Sequence, residues 1–315
     1  MDFQELHDRL VAKGYNDDTA DAKIAHDVVL KAIDAAGFRD NLTVKGGVVM
    51  SGITDLIRRA TMDMDVDFLH YSIANASVRH FIAILNRVSD CRIQIVGRIV
   101  ELKHQDYHGK RLFLKITDKH KVSVKTKLDI GVHTWSDVRQ ADFDFKIVTD
   151  ASSVSLQINP TEQVFVEKLK SLLRIGPAST RFKDVYDMYY LRTRVRKGIL
   201  RKMIQAHIYE DDKLREKDSA GIISRLKRIF RDKGFLKGLH APASSWLDVP
   251  VEEATKVVVD FLAKLKSTAP NNSAHVAKIP LIIIRNLSFY SAEDGISTLL
   301  VLYNRHLQQD AQQTN

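Results

Sequence analysis

Three aspartates stand at alternate positions in the segment Asp63-Met64-Asp65-Val66-Asp67-Phe68, and this spacing bears on chemistry before any fold is known. From 62 to 69 apolar and polar residues alternate strictly, the period of a β-strand, in which residues two apart share a face. Asp63, Asp65 and Asp67 therefore project to one side. Met62, Met64, Val66 and Phe68 project to the other, toward a core. Like charges side by side on a sheet repel one another, and a bound cation resolves the conflict. Mg²⁺ suits such a set because it takes oxygen ligands and keeps positions open for phosphates. The same pattern also fits an edge strand with a solvated polar face, although such edges more often carry lysine or mixed charge.

A fourth acid extends the pattern. Val122 to His133 reads VSVKTKLDIGVH, in which Val122, Val124, Thr126, Leu128 and Ile130 share one face and Lys125, Lys127, Asp129 and Gly131 the other. On a strand beside the first segment, Asp129 completes a nest of three carboxylates with Asp63 and Asp65; the alternative is a salt bridge to Lys127 or Arg98. Upstream, Gly46-Gly47 opens a helix after Lys45. A helix start offers unpaired N–H groups to phosphate, and glycine lets phosphate oxygens come close, but a glycine pair marks a plain turn just as readily.

These residues need a scaffold, and the chain is long enough to supply one. It has 315 residues, of which 44% are hydrophobic and 28% charged, as in ordinary globular proteins. The single cysteine, Cys91, excludes an internal disulfide and a cysteine metal cluster. The net charge of +9 and pI near 9.4 favour acidic partners such as nucleic acid or nucleoside triphosphates, once phosphate chemistry is argued independently. The start MDFQELHDRL lacks the pattern of a secretory signal, and the longest apolar run, near 281–284, is far too short to span a membrane. A cytoplasmic protein is expected.

Periodicity predicts two helices in the first forty residues, a strand at 42–44, a helix over 46–59, the acidic strand at 62–69 and a helix over 74–88. Strands follow at 92–103, 111–117, 121–132, 143–148 and 153–158, in a mostly antiparallel region. After Pro160 the pattern turns helical, over 161–175, 181–193, 197–208, 213–232, 250–266 and 292–308. The fold class expected is α+β: a mixed-sheet α/β domain with N-terminal helices over 1–158, followed by an all-helical domain over 159–315. In the helical half a dense basic run extends from Lys213 to Lys237. Ile222, Ile223, Leu226, Ile229 and Phe230 form its core-facing stripe, and Arg225, Arg228 and Arg231 lie off that stripe. That cationic face is either solvated or a track for RNA phosphates.

The motifs together resemble a known family. Lys45-Gly46-Gly47, then Thr61-Met62-Asp63-Met64-Asp65, then Lys127-Leu128-Asp129-Ile130 resemble the nucleotidyltransferase fold of the DNA polymerase β superfamily. More closely, they resemble the AbiEii/AbiGii toxins of abortive-infection and type IV toxin–antitoxin systems. Glu167-Lys168-Leu169 and Arg181-Phe182-Lys183-Asp184, continuing through Val185-Tyr186-Asp187-Met188-Tyr189-Tyr190-Leu191, carry the resemblance onward, so that it covers 41–191 in order. It implies a metal-dependent nucleotidyltransferase with NTP as substrate and Mg²⁺ or Mn²⁺ as cofactor. Asp63 and Asp65 would ligate both metal ions. Asp129 would ligate the one that activates the acceptor hydroxyl, with Asp67 behind them.

Gly46, Gly47, Lys168, Arg181, Lys183 and Asp184 are the implied nucleotide-binding residues, with Asp184 orienting Lys168 or Lys183, and Tyr186 a further contact. The implied acceptor is RNA, specifically the 3′ end of tRNA, and the implied partner is an antitoxin encoded nearby. Two features depart from the pattern: Gly46-Gly47 stands where Gly-Ser is common, and the gap to the aspartate pair is longer. The same chemistry on a protein or small-molecule hydroxyl is the competing reading. Another is a non-catalytic RNA- or partner-binding protein on the same fold, against which the intact Asp63, Asp65 and Asp129 argue.

Overall fold

The computed structural model describes residues 1–103, 108–242 and 244–265, which belong to one compact unit spanning 1–267. The helix predicted over 292–308 lies outside the described residues. Two helices open the chain, α1 (Phe3–Ala12) and α2 (Asp17–Ala35). Each is set by a polar N-cap: the Asp2 side chain accepts from Glu5 N–H and the Asn16 side chain from Thr19 N–H. Then come β1 (Leu42–Lys45), α3 (Gly46–Thr54), a 3₁₀ turn at Ile57–Arg59, β2 (Asp63–Phe68) and α4 (Asn75–Val88). The run of strands is β3 (Arg92–Lys103), β4 (His108–Thr117), β5 (Ser123–Val132), β6 (Ala141–Lys146) and β7 (Ser153–Ile158). The remainder is helical: α5 (Thr161–Ile175), α6 (Lys183–Leu191), α7 (Lys197–Ile204) with a π turn at Gln205–Tyr209, α8 (Ser219–Ile229), α9 (Lys233–Leu239) and α10 (Val251–Lys264).

The seven strands form one mixed sheet in the order β3-β4-β5-β2-β1-β7-β6. Neighbours in the chain pair antiparallel at β3/β4, β4/β5, β1/β2 and β6/β7, whereas β2/β5 and β1/β7 are parallel. Helices α2 and α4 pack against β5 and β3 on one face. That face supplies the alternate residues Leu112, Leu114 and Ile116 of β4 and Val124, Leu128 and Ile130 of β5, all buried. Met64, Val66 and Phe68 of β2 are buried as the alternation requires; Met62, expected to join them, precedes the strand and is 44% exposed.

Two hydrophobic clusters result. One fills the space between the sheet and α1, α2 and α4, and the other lies among α5–α10. Helix α3 serves both, since Val48 and Val49 pack in the first and Met50 in the second. The indole of Trp135, in the segment after β5, stacks on His207 of the π turn with centroids 3.7 Å apart. Among the described residues no strand follows Ile158. The basic stretch 213–232 is not one helix: α8 begins only at Ser219, where Asp218 caps it by accepting from Gly221 N–H at 2.7 Å. Among the described residues no helix is long and apolar enough to cross a membrane.

Candidate active site

The parallel pairing of β2 with β5 sets the geometry of the acidic residues. In that register Asp65 lies opposite Asp129 and Asp63 opposite Lys127, while the antiparallel pairing with β1 places Lys45 opposite Asp65 and Thr43 opposite Asp67. Opposed residues of adjacent strands share a face, so Asp63, Asp65 and Asp129 converge on one patch of sheet. Each flanking carboxylate is neutralised by a cation of its own. Lys127 Nζ is 2.6 Å from Asp63 Oδ2, and the Arg111 guanidinium grips Asp129 with two hydrogen bonds of 2.8 Å. Arg111, from β4, is the partner of Asp129 in place of the Lys127 or Arg98 that the sequence suggested. With the carboxylates turned onto these cations, no three His, Cys, Asp or Glu side chains among the described residues close into a ready-made metal-ligand set.

Asp65 is different. Burial pushes its carboxyl up to about 6, Lys45 opposes that rise, and the charges of Asp129 and Asp63 add to it. Asp67 is buried and pairs with Lys45 at 2.7 Å, one layer behind Asp65.

Gly46 and Gly47 have separate reasons to be glycine. Gly46 has φ +68, and a Cβ there would overlap Asp65 Oδ2. A Cβ on Gly47 would overlap the Thr61 side chain, so Thr61 occupies the space that a serine after Gly46 would need. Lys45 is the N-cap of α3 and no side chain caps the helix, leaving the first N–H groups beside Asp65 available to an anion. Gly46→Ala is expected to cost about 1–3 kcal/mol through left-handed strain and overpacking, and to lower nucleotide transfer by displacing the Asp65 carboxylate. Urea denaturation alongside a transfer assay checks both; wild-type activity in a destabilised variant would show that the displacement does not matter.

The residues expected from α5 and α6 are brought together by a buried ion network. Lys168 Nζ lies 2.8 Å from Asp184 and 2.7 Å from Asp187, and Arg59 holds Asp187 through two bonds of 2.7 Å. Burial works against the Lys168 charge, but the two carboxylates hold its pKa above the ordinary lysine value. Asp184 thus pairs with Lys168, while Lys183 is half-buried and its pKa is lowered by burial and by the charge of Arg59. Arg181 is largely exposed, with Nε 3.7 Å from Asp184 and Nη1 donating to Ser171 Oγ at 3.1 Å. Its charge also stabilises ionised Asp65, which places it within electrostatic reach of the carboxylates. Glu167 accepts from Asn159 and Gln163 at 3.0 and 2.8 Å. Burial raises its pKa, with Lys45 opposing and Asp67 reinforcing. Together these groups bring the start of α5 up to the acidic strand.

The family model for the AbiEii nucleotidyl transferase toxin of type IV toxin–antitoxin systems matches residues 28–249. The chain belongs to that family. The match spans the sheet, the carboxylates and α5 through α9. It makes this AbiEii protein a nucleotidyltransferase and implies an antitoxin partner. Among curated proteins no relative matches.

Sequence reasoning missed Arg59, Arg111 and Asp187 in this AbiEii chain. Asp187 was within reach, because it lies three residues after Asp184 on one helix face. Tyr186 is fully buried in the helical core. Arg225 is engaged too: its guanidinium packs over Gly176 and donates to Leu173 O at 3.4 Å. Arg228 and Arg231 are exposed. A cavity of about 440 Å³ lies between α2, α3 and β6, and none of the three carboxylates lines it.

Proposed function

We propose that this AbiEii protein transfers a nucleoside monophosphate from an NTP to a terminal hydroxyl of RNA, the 3′ end of tRNA being the acceptor that the family resemblance implies. The observation that carries the reading is the register of Asp65 against Asp129, with Asp63 on the same face beside the uncapped start of α3. The residues fit Mg²⁺ or Mn²⁺. The donor set is oxygen only, and burial raises the Asp65 carboxyl against the pull of Lys45, with the charges of Asp129 and Asp63 adding to the rise. Asp63 and Asp65 would hold both ions and Asp129 one. When bound, the ions neutralise charge on the attacking and leaving oxygens and favour ionisation of the acceptor hydroxyl.

The remaining roles belong to the chain. Asp129 is the base candidate for the acceptor hydroxyl, being partly exposed and bordered by the partly exposed Arg111. Gly46 and Gly47 let phosphate oxygens approach the first N–H groups of α3. Arg181 and Lys183 supply positive charge toward the triphosphate. Lys168, 11% exposed and tied to two carboxylates, joins them through the orientation that Asp184 and Asp187 impose. The division of labour is an α/β catalytic domain over 1–158 and a second domain from 159 onward, helical through the described residues to 265, that helps hold RNA through Arg228 and Arg231. The reaction would take place in the cytoplasm, where tRNA is found.

The test is incubation of the pure chain with Mg²⁺, each labelled NTP in turn, and total RNA. Label migrating with tRNA is the expected result. Label appearing only in protein or small molecules would transfer the chemistry to another acceptor. No label with any NTP would leave a binding protein on a transferase fold.

A further inference from the structure

The catalytic patch continues across the sheet into an exposed surface of unusual composition. Successive registers align Asp65, Asp129, Arg111 and Val100 in one row across β2, β5, β4 and β3, and Asp63, Lys127, Phe113 and Val96 in the next. The third row is Lys125, Lys115 and Gln94. This is the face opposite the one covered by α2 and α4. On it Phe113 is 48% exposed, Val96 45% and Val100 44%. Phe113 is ringed by cations: Lys127 lies directly across, Lys125 on the diagonal, and Arg111 and Lys115 two residues away on its own strand.

Large exposed apolar groups that cluster on one face call for a partner. The cationic ring selects its kind. Protein interfaces deplete charge from their centres, whereas an aromatic ring set among lysines is the arrangement that holds single-stranded nucleic acid, with a base on the ring and phosphates on the amines. Phe113 stands two strand spacings from Asp63, roughly 10 Å. That separation brings a base stacked on it within reach of the carboxylates. A flat ring on a sheet needs an unpaired base, which excludes the body of a duplex.

We propose that the exposed face of β3, β4 and β5 is the track along which single-stranded RNA enters the catalytic patch, with Phe113 as the stacking platform and Lys115 and Lys125 holding phosphates. The proposal rests on the reading of RNA as the acceptor and adds where that acceptor lies. It adds the sheet to the helical contacts at Arg228 and Arg231, while Arg225 of α8 is committed to packing against Leu173 and Gly176.

The experiment measures affinity separately from transfer. A fluorescein-labelled single-stranded RNA of twelve nucleotides with a free 3′ hydroxyl is titrated with the full chain by anisotropy across a KCl series, without NTP, and nucleotide incorporation into the same RNA is followed in parallel. Phe113→Ala and Phe113→Leu are expected to weaken binding by about tenfold or more, the size of one lost base stack, while Phe113→Trp keeps wild-type affinity. Lys115→Gln with Lys125→Gln is expected to flatten the salt slope by about 0.7 for each phosphate no longer neutralised. All three side chains stand on the exposed face, so melting temperatures should match the wild type. If the wild type binds and labels this RNA and the Phe113 variants do so equally well, the track is wrong and the proposed function stands. If the wild type neither binds nor labels RNA, both fall. Loss of antitoxin binding in the Phe113 variants, with RNA affinity unchanged, would make the surface a protein dock and overturn the proposal.

Discussion

Asp65→Asn is expected to abolish nucleotide transfer while making the metal-free protein more stable. The two effects share one cause. Asp65 sits between Lys45 and Asp129 on adjacent strands, and burial pushes its carboxyl up to about 6 from 3.8. Between those values the folded chain binds a proton that the unfolded chain has lost. Wild-type stability therefore falls as pH rises from about 4 to about 6. Asparagine fills the same space without the charge, so its advantage is absent below about pH 4 and complete above about pH 6. At two pKa units this amounts to roughly 2–3 kcal/mol. Activity moves the other way, because the charge that strains the empty fold is the one proposed to gather metal and phosphate. The loss should be roughly a thousandfold or more, the upper scale for removing preorganised electrostatic stabilisation, and expression should no longer arrest growth. Thermal melts across pH in EDTA, then with Mg²⁺, read out the first half. The wild type should gain melting temperature with Mg²⁺ and the variant little. A variant that melts below the wild type at pH 8 in EDTA would show that Asp65 is not a strained carboxylate. A folded variant that still transfers nucleotide would show that it is not a catalytic one.

The acidic strand was legible because a period of two is a local property: Asp63-Met64-Asp65-Val66-Asp67-Phe68 states its faces without reference to any partner. The helix start at Gly46 was legible for a similar reason, although the need for glycine at 47 was not. The Thr61 side chain that fills its Cβ position arrives from across a 3₁₀ turn. Register is the opposite case. That Asp129 faces Asp65 depends on a parallel pairing between strands joined through α4, β3 and β4, and alternation along either strand says nothing about which residue meets which. The family motifs stood in for that missing information, whereas Arg111, outside the motifs, went unnoticed until β4 was seen beside β5. The periodicity places Arg59 at the end of a helix over 46–59 and gives it no partner. In the fold α3 stops at Thr54, and the following turn directs the Arg59 side chain inward to Asp187.

Asp187→Ala should then be the most destabilising single change in the helical half. Asp187 is fully buried, and burial alone would raise its pKa; Lys168 first, and then Arg59, pull it down to about 2. Its ion pairs contribute fully above the unfolded aspartate value near pH 4 and are lost as pH falls toward 2. Alanine leaves the Arg59 guanidinium, 4% exposed, without its hydrogen-bonded carboxylate and with only the charge of Asp184 nearby, and leaves Lys168 with Asp184 alone. Removing one partner of a buried pair costs about 3–5 kcal/mol because the other charge stays behind. Replacing both partners with apolar residues is far milder, so Arg59→Met combined with Asp187→Leu is expected to recover most of the loss. Nucleotide affinity should not recover with it. Lys168 would still lack one of the two carboxylates that fix its position, and the KM for NTP should stay raised even where stability returns. Urea unfolding of the single and double variants gives the first comparison, and transfer kinetics give the second. A double variant as unstable as Asp187→Ala would mean that the space around Asp187 has a shape apolar side chains do not fill. A double variant with a wild-type KM would mean that the network holds the fold and leaves the nucleotide to Arg181, Lys183 and the start of α3.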